Sequence, residues 1–296
     1  MFKNIYRKFC NENIVGRFIY INVAVYIIVA FIGVFATLFE VGYKVEAFMH
    51  WFELPASFER FICQPWTLLS YMFLHERIMH ILWNMLALYG FGRIFLSFFS
   101  VRHFVGVYLF GGIMGGLFFM VAYNIFPHFA GIVENAYLIG ASASVLAVVV
   151  ASAVRSPNYV VNVVLLGSMR LVTIAVITVV VSLLLLASEN AGGNFAHLGG
   201  AFAGWLFAFM LGKGKDVTSL INKVIDYFAT LFKRRPSAAK AKFTYQKGGR
   251  AADYEYNARK KENEAEIDKI LEKVKAGGYS SLTEEEKKRL FEASQK

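Results

Sequence analysis

Six apolar runs, near residues 18–39, 78–99, 103–126, 137–154, 171–187 and 195–211, leave this chain little choice of solvent. A hydrocarbon layer roughly 30 Å thick is crossed by about 20 apolar residues in a helix. Inside it each backbone N–H and C=O must be satisfied within the segment, which selects helices over irregular chain. Hydrophobic residues make up 57% of the sequence, with 29 Phe, more than an ordinary soluble domain carries. The expectation is an all-α polytopic membrane protein, with a six-helix membrane domain over residues 18–212. Several of the runs are short or carry polar residues. The first follows Lys3, Arg7, Lys8 and Arg17 and is too long for a signal-peptide core, so it reads as a mature helix.

Charge sets the expected topology. Arg93 with Arg102, Arg155 with Arg170, and the basic run after Lys213 alternate with loops holding Glu40, Glu46, Glu53, Glu59, Glu134 and Glu189. By the positive-inside rule residues 1–17 and the C-terminal tail are cytoplasmic. Cys10 and Cys63 then lie on opposite sides of the membrane, and no internal disulfide is expected. The net charge of +10 follows from this topology and a basic tail, so a nucleic-acid partner is not implied.

Beyond the membrane domain, Val217, Leu220, Ile221, Val224, Ile225 and Phe228 recur at helical spacing ahead of Lys233-Arg234-Arg235. Residues 213–235 therefore read as a basic amphipathic helix on the cytoplasmic membrane surface. Residues 236–256 read as a linker, and 257–296 as a small helical cytoplasmic module. In that module one helix ends at Gly277-Gly278, and a second starts at Thr283 with Glu286 completing a capping box. No internal repeat is visible.

Polar side chains within membrane helices are functional suspects, because each is costly there unless satisfied. The suspects are His80 and Asn84, Ser142 and Ser144, and His197. His75-Glu76 followed by His80 looks like the H-E-x-x-H zinc motif, but the histidines are five apart, about 140° round a helix, and no metal site is expected. No aspartate precedes Asp216, so neither a paired-aspartate protease nor a Ser-His-Asp triad can be assembled in the membrane. Serine with histidine remains. Gly140 suits a sharp turn that places Ser142 at or within the first turn of a short helix, beside free N–H groups able to stabilise an oxyanion. Ser144 competes for the role, but lies on roughly the opposite face. Gly200 and Gly204 let another helix approach His197 closely, within reach of a serine. His80 and Asn84, four apart, share a face and can donate to a developing oxyanion.

The stretches QPWTLLSYMFLHERIMHILWNMLALYGFG, GASAS and AHLGGAFAG together resemble the rhomboid family of intramembrane serine proteases. The matching features are a loop ending in Phe-Leu-His before a His-x-x-x-Asn, a Gly-x-Ser, and an Ala-His-x-x-Gly-x-x-x-Gly, in that order over residues of about 60 to 212. The resemblance implies a six-transmembrane-helix rhomboid-like bundle, Ser142 as nucleophile and His197 as general base. It further implies an oxyanion hole of His80, Asn84 and the Ser142 N–H, with His75, Gly140, Gly200 and Gly204 structural. Glu76 and Arg77 read as a solvated pair. No metal or soluble cofactor is implied. The implied partners are the lipid bilayer and single-pass or polytopic membrane protein substrates, cut near the non-cytoplasmic face, in a bacterial inner membrane. The tail resembles a cytoplasmic module appended to some bacterial rhomboid proteins, its partner unknown.

Two positions depart from the family pattern: Ala143 stands where glycine is common, and Leu146 where an aromatic ring often stacks on the histidine. The added methyl would tighten space near the oxyanion hole. A catalytically inactive rhomboid-like protein that binds transmembrane helices is the alternative, although such a protein would normally lack the serine or the histidine. A transporter would show inverted repeats or charges within spans, and neither is evident.

Overall fold

The computed structural model describes residues 9, 12–163, 167–232, 262 and 265–294, and the chain divides into two units, Met1–Lys233 and Arg234–Lys296. The first unit runs α1 (Ile14–Leu38), α2 (Gly42–Met49), β1 (Leu54–Pro55), α3 (Phe58–Cys63), a tight turn through Tyr71–Phe73, α4 (Ile78–Phe98) and α5 (Val101–Ile125). It continues through β2 (Tyr137–Leu138), α6 (Ser142–Arg155), β3 (Val160–Val163), β4 (Gly167–Arg170), α7 (Leu171–Leu184), α8 (Ala191–Gly212) and α9 (Ser219–Phe232).

Four of these helices, α1, α4, α5 and α8, are long and apolar enough to cross a membrane. The other two apolar helices, α6 and α7, have 14 residues each. The fold is the expected all-α polytopic membrane fold, inverted in the way lipid requires: Ile28, Phe31 and Phe35 of α1 and Val176, Ile177 and Val180 of α7 are exposed.

The centre is a three-helix seam of α5, α6 and α8, built on glycine because backbone approaches backbone. A methyl on Gly200 would overlap the Ala143 carbonyl, and one on Gly204 the Ala147 carbonyl. From the other side, a methyl on Gly115 would come 2.6 Å from the Ala143 Cβ. Without water to drive association inside lipid, close van der Waals packing of this kind holds helices together. The result is that α6 is buried from Ala143 through Ala153. At the edge, α1 is anchored by Asn22, fully buried, whose Nδ2 donates to Phe18 O at 2.8 Å and to Tyr108 Oη at 3.4 Å.

Two local expectations need correction. The run at 137–154 is not helical throughout: Tyr137 and Leu138 are extended and pair antiparallel with Pro55 and Leu54, so the helix starts only at Ser142. Between α6 and α7 the strands β3 and β4 pair antiparallel, with Val160 opposite Arg170 and Asn162 opposite Ser168, favoured by the β-branched valines. The amphipathic helix expected over 213–235 begins at Ser219, because Asp216 Oδ1 accepts from the Thr218 N–H at 2.8 Å and holds a turn before it. Thr218 then sits over Gly106 of α5, Arg102 pairs with Asp226, and Leu220, Val224, Tyr227 and Phe228 stay exposed.

In the second unit, a helix over 265–277 (α10) ends at Gly278, whose φ of 74° gives a left-handed cap with its N–H on Val274 O at 2.9 Å. Before α11 (Glu284–Ser294), Glu286 Oε2 accepts from the Thr283 N–H at 2.9 Å, and Thr283 Oγ1 accepts from the Glu286 N–H at 3.3 Å, a reciprocal capping box. Lys273 Nζ, 2.5 Å from Glu286 Oε1, joins the two helices and holds that carboxyl down at about 2. The expected linker, 236–256, lies outside the described residues.

Candidate active site

Gly140 organises the approach to α6. Its φ of 125° is a conformation that side-chain-bearing residues rarely adopt, and its N–H donates to Tyr71 O at 2.9 Å. That bond ties the strand leaving β2 to the turn ahead of α4. The His80 ring packs close against the glycine: a Cβ there would come 2.8 Å from Cε1 and 2.9 Å from Nε2 of His80. Two residues on, Ser142 opens α6, whose first helical bond runs from the Val145 N–H to Ala141 O at 2.9 Å. The Ser142 amide therefore lies in the first turn, without a carbonyl four residues back to accept it.

A cavity of about 450 Å³ gathers the polar residues of four helices: His80 and Asn84 of α4, Ser142 of α6, Thr178 of α7, and His197 of α8 with Asn190 just ahead of it. Trp83 and Leu146 supply apolar wall. No carboxylate lines it, and among the described residues no three His, Cys, Asp or Glu side chains gather as metal ligands would. Ser142 is half-buried on the cavity, whereas Ser144 is fully buried away from it with an unpartnered hydroxyl. Asn84 Nδ2 donates one hydrogen to His80 O at 3.0 Å, leaving its second hydrogen uncommitted. No hydrogen bond joins Ser142 to His197 directly.

His75 and His80 do not diverge as their spacing in one helix predicted. His75 precedes α4 in extended chain and folds back, so the two rings meet edge to face with centroids 5.1 Å apart. His75 is buried, and burial first, then the neighbouring His80, push its imidazole down to about 4. It packs as a neutral ring. Glu76 and Arg77 are exposed and 3.6 Å apart. The Ala143 methyl is not in the cavity but on the helix seam against Gly115, so the tightening expected near the oxyanion hole does not arise.

Sequence reasoning passed over Ser182 of α7, whose Oγ is 3.2 Å from His197 Nδ1. It also passed over Asn194, which braces the entry to α8 by donating to Leu185 O at 2.8 Å and Asn190 O at 3.0 Å. Each is an ordinary polar residue in an apolar or loop context until the helices are assembled.

Fold and site together define a polytopic helical membrane protein with a serine at a helix N-terminus and a histidine on one cavity. A family model described as Rhomboid domain matches residues 63–214, just over half of the sequence, and the chain belongs to the rhomboid family. A second model, a family of unknown function (DUF6576), matches residues 251–296. No curated protein matches the chain.

Proposed function

We propose that this rhomboid protein is an intramembrane serine endopeptidase that hydrolyses transmembrane-helix substrates near the non-cytoplasmic face. The observation that carries the reading is that Ser142, at the N-terminus of α6, faces the same cavity as His197 while Ser144 is packed away. His197 Nε2 takes the Ser142 proton as Oγ attacks the substrate carbonyl carbon. The oxyanion formed accepts from the first-turn N–H of Ser142, the His80 ring and the second Asn84 N–H, all donors fixed before the reaction. His197 then gives its proton to the leaving amine; water, deprotonated by the same ring, attacks the acyl carbon, and the ring passes that proton to the departing Ser142 Oγ as the acid is released. No cofactor takes part.

On the same reading both termini lie on the cytoplasmic side of a bacterial inner membrane and α6 and α7 complete six spans; the exposed Leu220, Val224 and Phe228 support a position of α9 on the lipid surface. The absence of a direct Ser142 to His197 hydrogen bond favours a second reading, an inactive helix-binding relative. Apo sites often tighten only with substrate, which leaves the enzyme reading ahead. Fluorophosphonate labelling of the detergent-solubilised protein decides: label that requires both Ser142 and His197, tested as Ser142→Ala and His197→Ala, supports the protease. Absence of label from the folded wild type refutes it.

A further inference from the structure

We propose that Ser182 of α7 is a positioning residue that fixes the tautomer of His197, keeping Nδ1 protonated and Nε2 free as a proton acceptor. The inference rests on the reading of His197 as the base. Ser182 is 2% exposed, and its Oγ has two neighbours: Thr178 O at 2.9 Å and His197 Nδ1 at 3.2 Å.

A hydroxyl has one hydrogen, and a carbonyl oxygen can only accept. The Oγ hydrogen is therefore spent on Thr178 O, four residues back in the same helix, a habit of serine in membrane helices. Toward His197 the hydroxyl presents lone pairs alone, so the hydrogen of that contact must sit on Nδ1. A neutral imidazole carries one N–H, and Nε2 is left with its lone pair. The reverse arrangement would set the Oγ and Thr178 oxygens lone pair to lone pair at 2.9 Å in a buried, water-poor place.

Among the described residues no other group can do this. The cavity lacks a carboxylate, and Ser182 is the ring's only hydrogen-bond partner among the described residues. The contact reaches from α7 to α8 across 15 residues of sequence, so one hydroxyl makes the chemistry of α8 depend on where α7 stands.

The test uses the full-length protein in detergent, labelled with nitrogen-15 histidine, with the His197 ring signals assigned by their loss in His197→Gln. At a pH where the imidazole is neutral, the wild type should show a protonated Nδ1 and an unprotonated Nε2. Ser182→Ala should give a tautomer mixture and a fluorophosphonate labelling rate about tenfold lower, the loss expected for one hydrogen bond. Ser182→Thr, which keeps the hydroxyl, should restore both. A wild type protonated at Nε2 overturns the proposal even if no variant folds, and so does a Ser182→Ala protein with unchanged tautomer and rate. The ring signals do not depend on activity. A wild type that takes no label, but whose Nδ1–H is lost in Ser182→Ala, refutes the protease reading while upholding the role of Ser182.

Discussion

The seam around Ala143 makes a prediction sharp enough to separate two kinds of close contact. A methyl added at Gly115 meets the Ala143 methyl at 2.6 Å, whereas one added at Gly200 meets the Ala143 backbone carbonyl. Overpacking of either kind in a filled interior costs about 1–3 kcal/mol, with a backbone clash at the upper end because no rotamer relieves it. Removing the Ala143 methyl should therefore rescue Gly115→Ala and leave Gly200→Ala unrescued. Relief at Gly115 is partial, since Ala196 O at 3.0 Å and Tyr71 Oη at 3.2 Å still press on the new methyl. In a double-mutant cycle we expect a coupling of about 1 kcal/mol between Gly115→Ala and Ala143→Gly, and less than about 0.5 kcal/mol between Gly200→Ala and Ala143→Gly. Reversible unfolding in mixed detergent micelles, followed by helical circular dichroism, gives the four stabilities of each cycle. Equal couplings in the two cycles, or a larger one at Gly200, would show that the seam is not packed as described.

Other outcomes follow from the same site. Ser144→Ala should leave fluorophosphonate labelling within about twofold of wild type and raise stability by up to about 1 kcal/mol, since it deletes a buried hydroxyl that has no partner; a loss of label would move the nucleophile to Ser144. Ala143→Gly alone should not speed labelling, because the methyl it removes lies on the helix seam rather than in the cavity. The buried His75 has its folded-state value lowered from 6.5 to about 4, so the unfolded chain binds a proton first as pH falls. Stability from this residue is present above about 6.5 and lost progressively down to about 4, by up to about 3 kcal/mol. His75→Phe should flatten that part of the pH–stability curve, and an unchanged slope would count against a neutral buried ring.

How much the chain discloses before it is folded depends on whether a residue acts along its own helix or across to another. His80 and Asn84 could be read as one face because four residues apart is a property of a single helix, and Ser142 as a helix start because Gly140 announces the turn. Ser182 could not. Its only local signal is a hydroxyl in an apolar run, which its own Thr178 carbonyl already explains, and the bond to His197 exists only once α7 lies beside α8. The same holds for Tyr137 and Leu138, apolar enough to extend a helix but claimed by pairing with Pro55 and Leu54. His75 misleads in the opposite sense: its spacing to His80 has a helical meaning only inside one helix, and that helix begins three residues too late to contain it.

The brevity of α6 carries a consequence for whatever enters the cavity. Fourteen residues rise roughly 21 Å, so on the proposed reading of α6 as a span, with Arg155 at one face of a hydrocarbon layer roughly 30 Å thick, Ser142 lies about 9 Å inside the other. On the proposed reading, a substrate helix must surrender about six residues of its own hydrogen bonding to bring a peptide bond down to that depth. Unpaired backbone groups are expensive in hydrocarbon, so a helix whose outer turns already hold glycine or proline meets a lower barrier than a uniformly stable one. If the protease reading holds, selection at such a site is a measurement of how easily a foreign helix frays, with the cleavage rate as its readout.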